Sequence, residues 1–241
     1  MIGSVTKTLL ESGAERGARI YNRARRPVHA FVLAVIAVLF AAETALAQPQ
    51  KIIAFGDSLT AGYLLPAEAA FPAQLEKRLR ADGFDASVVN AGVSGETTAG
   101  GLARADYALE AGADLVILEL GANDMLRGLD PSIAAANLEK LVRAAQARQA
   151  RVLLAGMVAS GNFGADYKTR FDSLYPELAT RLSLPLYSFF LEGVSGVAGM
   201  TLPDGLHPSP AGVVRIVAGI APLVEKTLKD ASANGGAAPV R

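Results

Sequence analysis

The chain predicts an α/β protein, a three-layer α/β/α sandwich built on a parallel sheet, and three observations carry that prediction. Short apolar runs alternate with longer stretches of helical spacing. The runs are close to continuously apolar, as expected of strands covered by helices on both faces. Glycines gather just past the ends of the runs, where the ligand sites of open α/β sheets lie.

Partly β-branched apolar runs place five strands at 51–55, 86–89, 115–120, 152–157 and, on a weaker pattern, 184–189. Helices are expected over 71–81, 101–109, 132–149, 167–182 and 210–228, with right-handed crossovers between parallel strands. Asp130-Pro131 sets a capping carboxylate before a proline suited to the first helical turn. Ile133, Leu138, Leu141 and Val142 then continue with helical apolar spacing. In the last helix Val213, Ile216, Val217, Ile220 and Val224 recur at steps of three and four, a face expected to pack on the sheet. Past Asp230 the apolar pattern ends, so the tail 231–241 is expected to be disordered.

The start of the chain reads as a leader. An uncharged apolar run at 30–42 follows Arg23, Arg25 and Arg26 and precedes Ala45-Leu46-Ala47, the layout of a secretory signal peptide cleaved after Ala47. The run falls short of the roughly 20 residues that span a bilayer. The general secretory route is favoured, since Pro27 and His29 fit a twin-arginine signal poorly. Removing 1–47 takes six of 23 basic and three of 23 acidic groups, leaving 17 against 20. That balance gives no electrostatic footprint for nucleic acid. The remaining 194 residues suit one domain, placed at 48–230 and expected to work as a periplasmic or secreted monomer. With no cysteine, disulfides, thiolate metal sites and a cysteine nucleophile are excluded together.

Four blocks carry the candidate chemistry. Ser58 follows the first strand in Gly56-Asp57-Ser58-Leu59, exposed as a nucleophile by a tight turn or, equally, capping the next helix. After the second strand Gly95 is able to present a backbone N–H, although glycines there also simply make a turn, with Ser94 and Thr97 as loop or cap residues. After the third, Asn123 in Gly121-Ala122-Asn123-Asp124 offers a neutral amide donor to a developing oxyanion, or an Asx turn. Asp204 and His207 lie three apart in a segment bracketed by Pro203, Pro208 and Pro210, a loop able to aim both side chains. The chain has two histidines, and His29 lies in the leader, so serine–histidine chemistry in the mature protein must use His207.

These blocks resemble the SGNH, or GDSL, hydrolase family, and within it the bacterial periplasmic acyl-thioesterase, lysophospholipase and arylesterase group. The resemblance runs from 51 to 229 through Gly56-Asp57-Ser58-Leu59-Thr60-Ala61-Gly62-Tyr63, Val89-Asn90-Ala91-Gly92-Val93-Ser94-Gly95-Glu96-Thr97, Glu119-Leu120-Gly121-Ala122-Asn123-Asp124 and Asp204-Gly205-Leu206-His207-Pro208. It implies a flavodoxin-like sheet of five parallel strands. It also implies Ser58, Asp204 and His207 as the catalytic residues, with Ser58, Gly95 and Asn123 around the oxyanion. Asp57 is assigned to supporting the nucleophile loop.

The expected reaction is hydrolysis of carboxylic esters and thioesters through an acyl-enzyme, on acyl-CoA, lysophospholipid or aryl ester substrates. A carbohydrate O-acetylesterase would use the same apparatus. A flavodoxin-like ligand-binding module is the non-enzymatic rival, but no phosphate-binding glycine motif follows the first strand. No cofactor or metal is expected, since one mature histidine is too few for a hydrolytic metal centre. Apolar side chains at the strand ends suit an acyl chain or aryl group or, equally, the core. Met125, Leu126, Met157, Phe163 and Phe190 are the candidates, beside Leu129, Val158 and Leu191 in the same loops.

Overall fold

The computed structural model describes residues 49–234; the leader expected at 1–47 and the last part of the expected tail lie outside them. Five strands, β1 Gln50–Gly56, β2 Ala86–Gly92, β3 Leu115–Glu119, β4 Arg151–Ala155 and β5 Leu186–Tyr187, pair in parallel in the order β2-β1-β3-β4-β5. The helices are α1 Ser58–Ala61, α2 Phe71–Ala81, α3 Thr98–Ala103, α4 Ala105–Ala108, α5 Ala122–Leu126, α6 Pro131–Ala147, α7 Gly164–Leu182 and α8 Pro210–Asn234. They cover both faces of the sheet, giving the three-layer α/β/α fold.

The central strands are apolar because both of their faces are covered. Ile52 to Phe55, Leu115 to Leu118 and Val152 to Ala155 are all buried. Each large aliphatic side chain removed from water there contributes about 1.5–3 kcal/mol. The apolar face read in the last helix is buried at Val213, Ile216, Val217, Ile220 and Val224. α8 packs beside α2, and over β5 its Gly219 leaves no room: a Cβ would come within 2.2 Å of the Tyr187 hydroxyl. α3, α6 and α7 pack as a second group. No helix among the described residues is long and apolar enough to cross a membrane.

Several boundaries differ from those read in the sequence, each for a local reason. β2 runs on to Gly92 because its edge continues to pair with β1 as far as Gly56. The fifth strand shrinks from 184–189 to two residues. Only Leu186 and Tyr187 pair with β4, after which the chain bends so that Phe190 can enter the core against Phe71. The helix expected over 101–109 starts earlier, at Thr98, where the Thr97 hydroxyl accepts from Gly100 N, and it breaks at Arg104. Asp130 caps α6 by accepting from Ser132 N, with Pro131 in the first turn, as the sequence indicates. α8 continues past 228 to Asn234, since Ala231-Ser232-Ala233 holds no helix breaker before Gly235-Gly236.

Candidate active site

Three of the four blocks sit at the carboxyl ends of β1, β2 and β3, and the fourth precedes α8. Ser58 opens α1 directly after β1, while the capping role falls to Asp57, whose Oδ1 accepts from Leu59 N at 3.0 Å. The serine is therefore free to face the cavity instead of closing the helix. Gly56 permits this turn, since a Cβ there would lie 2.2 Å from Thr60 Oγ1 and 2.6 Å from the Glu119 carbonyl oxygen.

His207 Nε2 lies 2.9 Å from Ser58 Oγ, and its Nδ1 lies 2.7 Å from Asp204 Oδ2. Asp204 Oδ1 also accepts the backbone N–H groups of Leu206 and His207, at 2.9 and 3.0 Å. These bonds hold its carboxyl down at about 2, the His207 backbone N–H contributing most. The loop closes on itself through Leu202 N to His207 O and a bridge between Thr201 and Pro208. The Tyr63 ring lies over the imidazole with centroids 4.4 Å apart.

Asn123, in α5, donates Nδ2 to Asp57 Oδ2 at 2.9 Å. Burial pushes the Asp57 carboxyl up to about 6, opposed by the donated bonds from Leu59 N and the Asn123 amide. Gly95 has a left-handed φ of 79°, and its carbonyl is held by Arg127 at 2.9 Å. Among the described residues neither Ser58 N nor Gly95 N donates to a protein acceptor. Two unspent N–H groups and one oriented amide thus border the serine, which is what an oxyanion requires of its surroundings.

The Asx turn considered for Asn123-Asp124 does not form. Asp124 is buried and accepts from the N–H and hydroxyl of Thr98, at 2.8 and 2.6 Å, tying α5 to the start of α3 behind the Gly95 loop. The same loop is tied to β1 by Arg104, which pairs with Glu96, donates to the Gly56 carbonyl and stacks on Phe55. Both links depend on partners distant in sequence, which no local pattern marks.

A cavity of about 390 Å³ opens at Ser58 and His207. Of the residues proposed from sequence to receive substrate, Met125, Leu126 and Met157 line it. Phe190 does not: it is fully buried, edge-on to Phe71 at 5.0 Å, because core packing outweighs exposure for a ring of that size. Phe163 also lies outside, its ring against Gly128 and Tyr167. Leu191, also named from sequence in the loop after the fifth strand, lines it too, and Leu59, Tyr63 and Leu206 complete the apolar wall. Leu206 and Tyr63 were within reach of the sequence, as each lies inside a catalytic block. A larger cavity of about 580 Å³ lies near Arg151, Leu184 and Lys226, and none of the candidate catalytic or substrate-binding residues lines it.

Residues 54–214 match the GDSL-like lipase/acylhydrolase family. The chain belongs to that family. This GDSL-like hydrolase is 40% identical over 186 residues to esterase TesA of Pseudomonas aeruginosa, covering 77% of this chain and 92% of the relative. A crystal structure of TesA superposes with a TM-score of 0.71 at 40% identity, over 74% of this chain and 99% of that one. An arylesterase of Vibrio mimicus is 39% identical over 175 residues, covering 72% and 88% of the two chains. Thioesterase 1/protease 1/lysophospholipase L1 of Escherichia coli K12 is 37% identical over 164 residues, covering 68% and 77%. The GDSL-like hydrolase is accordingly an ester-cleaving enzyme of the SGNH type, with the five-stranded parallel sheet of that fold.

Proposed function

We propose that Ser58 is the nucleophile, His207 the general base and Asp204 the carboxylate that orients it. The observation that carries this reading is the unbroken contact series Ser58 Oγ–His207 Nε2–His207 Nδ1–Asp204 Oδ2, at 2.9 and 2.7 Å, on the wall of an apolar cavity. His207 takes the Ser58 proton as Oγ bonds to the substrate carbonyl carbon, and Asp204 stabilises the imidazolium. The carbonyl oxygen becomes an oxyanion held by the N–H groups of Ser58 and Gly95 and by the Asn123 amide. Its collapse expels the alcohol or thiol, which takes the proton from His207. Water, deprotonated by His207, then attacks the acyl-enzyme, and Ser58 leaves with that proton as the carboxylic acid is released.

The wall of Leu59, Met125, Leu126, Met157, Leu191 and Leu206 supports substrates with an apolar acyl or aryl group. The substrate class is carboxylic esters and thioesters of the acyl-CoA, lysophospholipid or aryl type. The residues proposed for the triad and the oxyanion all lie in this chain, so the reading calls for no partner subunit and takes a monomer as the working unit. The signal-peptide layout read at 1–47 supports a periplasmic or secreted enzyme, and mass spectrometry of the mature protein should find its start at Gln48.

The decisive measurement is labelling with an organophosphonate serine probe. An adduct on the wild type that vanishes in Ser58→Ala is expected; no adduct, or an unchanged one, sinks the assignment. Rates on aryl esters from acetyl to palmitoyl, on acyl-CoA, on lysophospholipid and on acetylated xylan then define the substrate. Activity confined to acetylated xylan would overturn the acyl and aryl reading in favour of a carbohydrate O-acetylesterase.

A further inference from the structure

Under the turn that carries Ser58 lies a carboxyl that no proton transfer above uses. Glu119 ends β3, in register with Gly56 at the end of β1, and it is wholly buried. Its Oε2 accepts from Thr60 Oγ1 at 2.7 Å and more loosely from Asp57 N at 3.4 Å. Its Oε1 is buried with no hydrogen-bond partner among the described residues. The missing Cβ of Gly56 is what admits it, since that atom would stand 2.5 Å from Oε2.

The groups facing this carboxyl argue that it is uncharged. Asp57 faces it from the nucleophile turn, and Tyr175 faces it from α7, its hydroxyl spent on the Leu120 carbonyl. Thr60 is neutral, and no Lys or Arg among the described residues bonds to Glu119. A carboxylate here would be a buried charge without a counter-ion, beside a second carboxylate. Burial, and then the charge of Asp57, push Glu119 well above the usual carboxyl range. An oxygen that carries the proton needs no donor, which accounts for Oε1. Asp57 is the carboxyl that faces it, with its backbone N–H on Oε2; burial raises the Asp57 pKa, and hydrogen bonding with Leu59, Asn123 and Glu119 opposes that rise.

We propose that Glu119 is a positioning residue of the hydrolytic site: a neutral buried carboxyl that holds the Asp57–Thr60 turn through Oε2 and donates its proton to Asp57. Asp57, thus kept as an acceptor, fixes the Asn123 amide. The inference rests on the reading of Ser58 as nucleophile and adds a layer beneath it: one proton shared by two buried carboxyls sets the geometry of the oxyanion donor.

The test compares Glu119→Gln, Glu119→Leu and Thr60→Val in the full chain. Glutamine is neutral, accepts where Oε2 accepts and donates where the acid proton donates. It should keep kcat within roughly threefold of wild type, whereas leucine should lower kcat on the order of thirtyfold or more with KM little changed. Thr60→Val, which removes one donor at nearly constant volume, should lower kcat by about threefold to tenfold, again at constant KM. The infrared spectrum at neutral pH should show a protonated buried carboxyl band that Glu119→Gln removes. The proposal is overturned if glutamine is as damaging as leucine, if the band is absent from wild type, or if leucine and valine both retain wild-type kcat. Should the leucine variant not fold, the glutamine, valine and infrared results decide. Phosphonate labelling of the wild type separates the two levels: an unlabelled wild type overturns the hydrolase reading and this one with it. A labelled wild type with unaffected variants overturns the role of Glu119 alone.

Discussion

The Asn123 amide donates to Asp57 Oδ2 at 2.9 Å, so the side chain proposed to bind the oxyanion is oriented by the residue next to the nucleophile. Asp57 meets this demand with two acceptor oxygens, one for Leu59 N and one for Asn123. Asparagine has a single oxygen, and keeping the Leu59 bond would turn its own amide toward that of Asn123. Asn123 would have to flip and present its oxygen to residue 57, losing its orientation toward the substrate. Asp57→Asn is therefore expected to lower kcat by about ten- to a hundredfold, the scale of a lost oxyanion donor. Steady-state kinetics checks it; a wild-type kcat would show that the amide needs no such anchor.

The same substitution should remove a pH dependence of stability. The Asp57 carboxyl stands at about 6, above its ordinary 3.8, because burial disfavours its charge. A carboxyl with a raised folded-state pKa contributes stability that is complete below its unfolded value and is lost as pH rises through about 6. Asp57→Asn escapes that loss. Measured against the wild type, its melting temperature should be more favourable at pH 7 than at about pH 4, whatever the constant cost of the lost hydrogen bond. A difference independent of pH would contradict this account.

Tyr63 covers the His207 imidazole, which the proposed mechanism turns into a cation, at a centroid distance of 4.4 Å. An aromatic face near a cation is worth about 0.5–2 kcal/mol. Tyr63→Leu should thus lower kcat by about 2- to 30-fold, while Tyr63→Phe should retain most of it. Equal losses in both variants would assign the effect to the hydroxyl instead.

Arg104 ties the Glu96 end of the Gly95 loop to the last carbonyl of β1, with 21% of its side chain exposed and 8% of that of Glu96. Arg104→Gln leaves Glu96 without its cation. The expected cost is about 2–3 kcal/mol, below that of a fully buried pair. The double variant Arg104→Gln, Glu96→Gln should recover part of it, as denaturant titration would show. Additive losses would mean that the pair is not coupled.

Gly56→Ala would set a Cβ 2.6 Å from the Glu119 carbonyl oxygen, which belongs to the neighbouring strand and cannot rotate away. Overpacking of this kind costs about 1–3 kcal/mol. Ser58 sits on the turn that must move, so the melting temperature and the rate of phosphonate labelling should fall together. A variant with wild-type labelling would show that the turn absorbs the methyl group.

The helix α2 was legible to the residue, and so were the Asp130 cap and the placement of Ser58, Gly95 and Asn123 after successive strands. Apolar periodicity, caps and turn residues are local signals, and they determine these features. The two-residue β5 and the break at Arg104 were not legible, because each is set by tertiary partners: Phe71 beneath Phe190, and Glu96 with Gly56 around Arg104. Phe163 and Phe190 show the same limit at the site. An apolar residue after a strand has the same local signature whether it faces a cavity or the core. Glu119 reads as a polar residue within the apolar run 115–120, and only its complete burial points to the role proposed for it.

Ser58 and His207 meet across 149 residues of chain. The loop that aims the imidazole is held largely by its own hairpin bonds and by the start of the last helix. Synthesis therefore delivers Ser58 well before His207, the base proposed for it, which follows all five strands. On the proposed mechanism, Ser58 is an unactivated alcohol until that loop docks. The mechanism proposed above therefore makes catalytic competence wait on the docking of one loop.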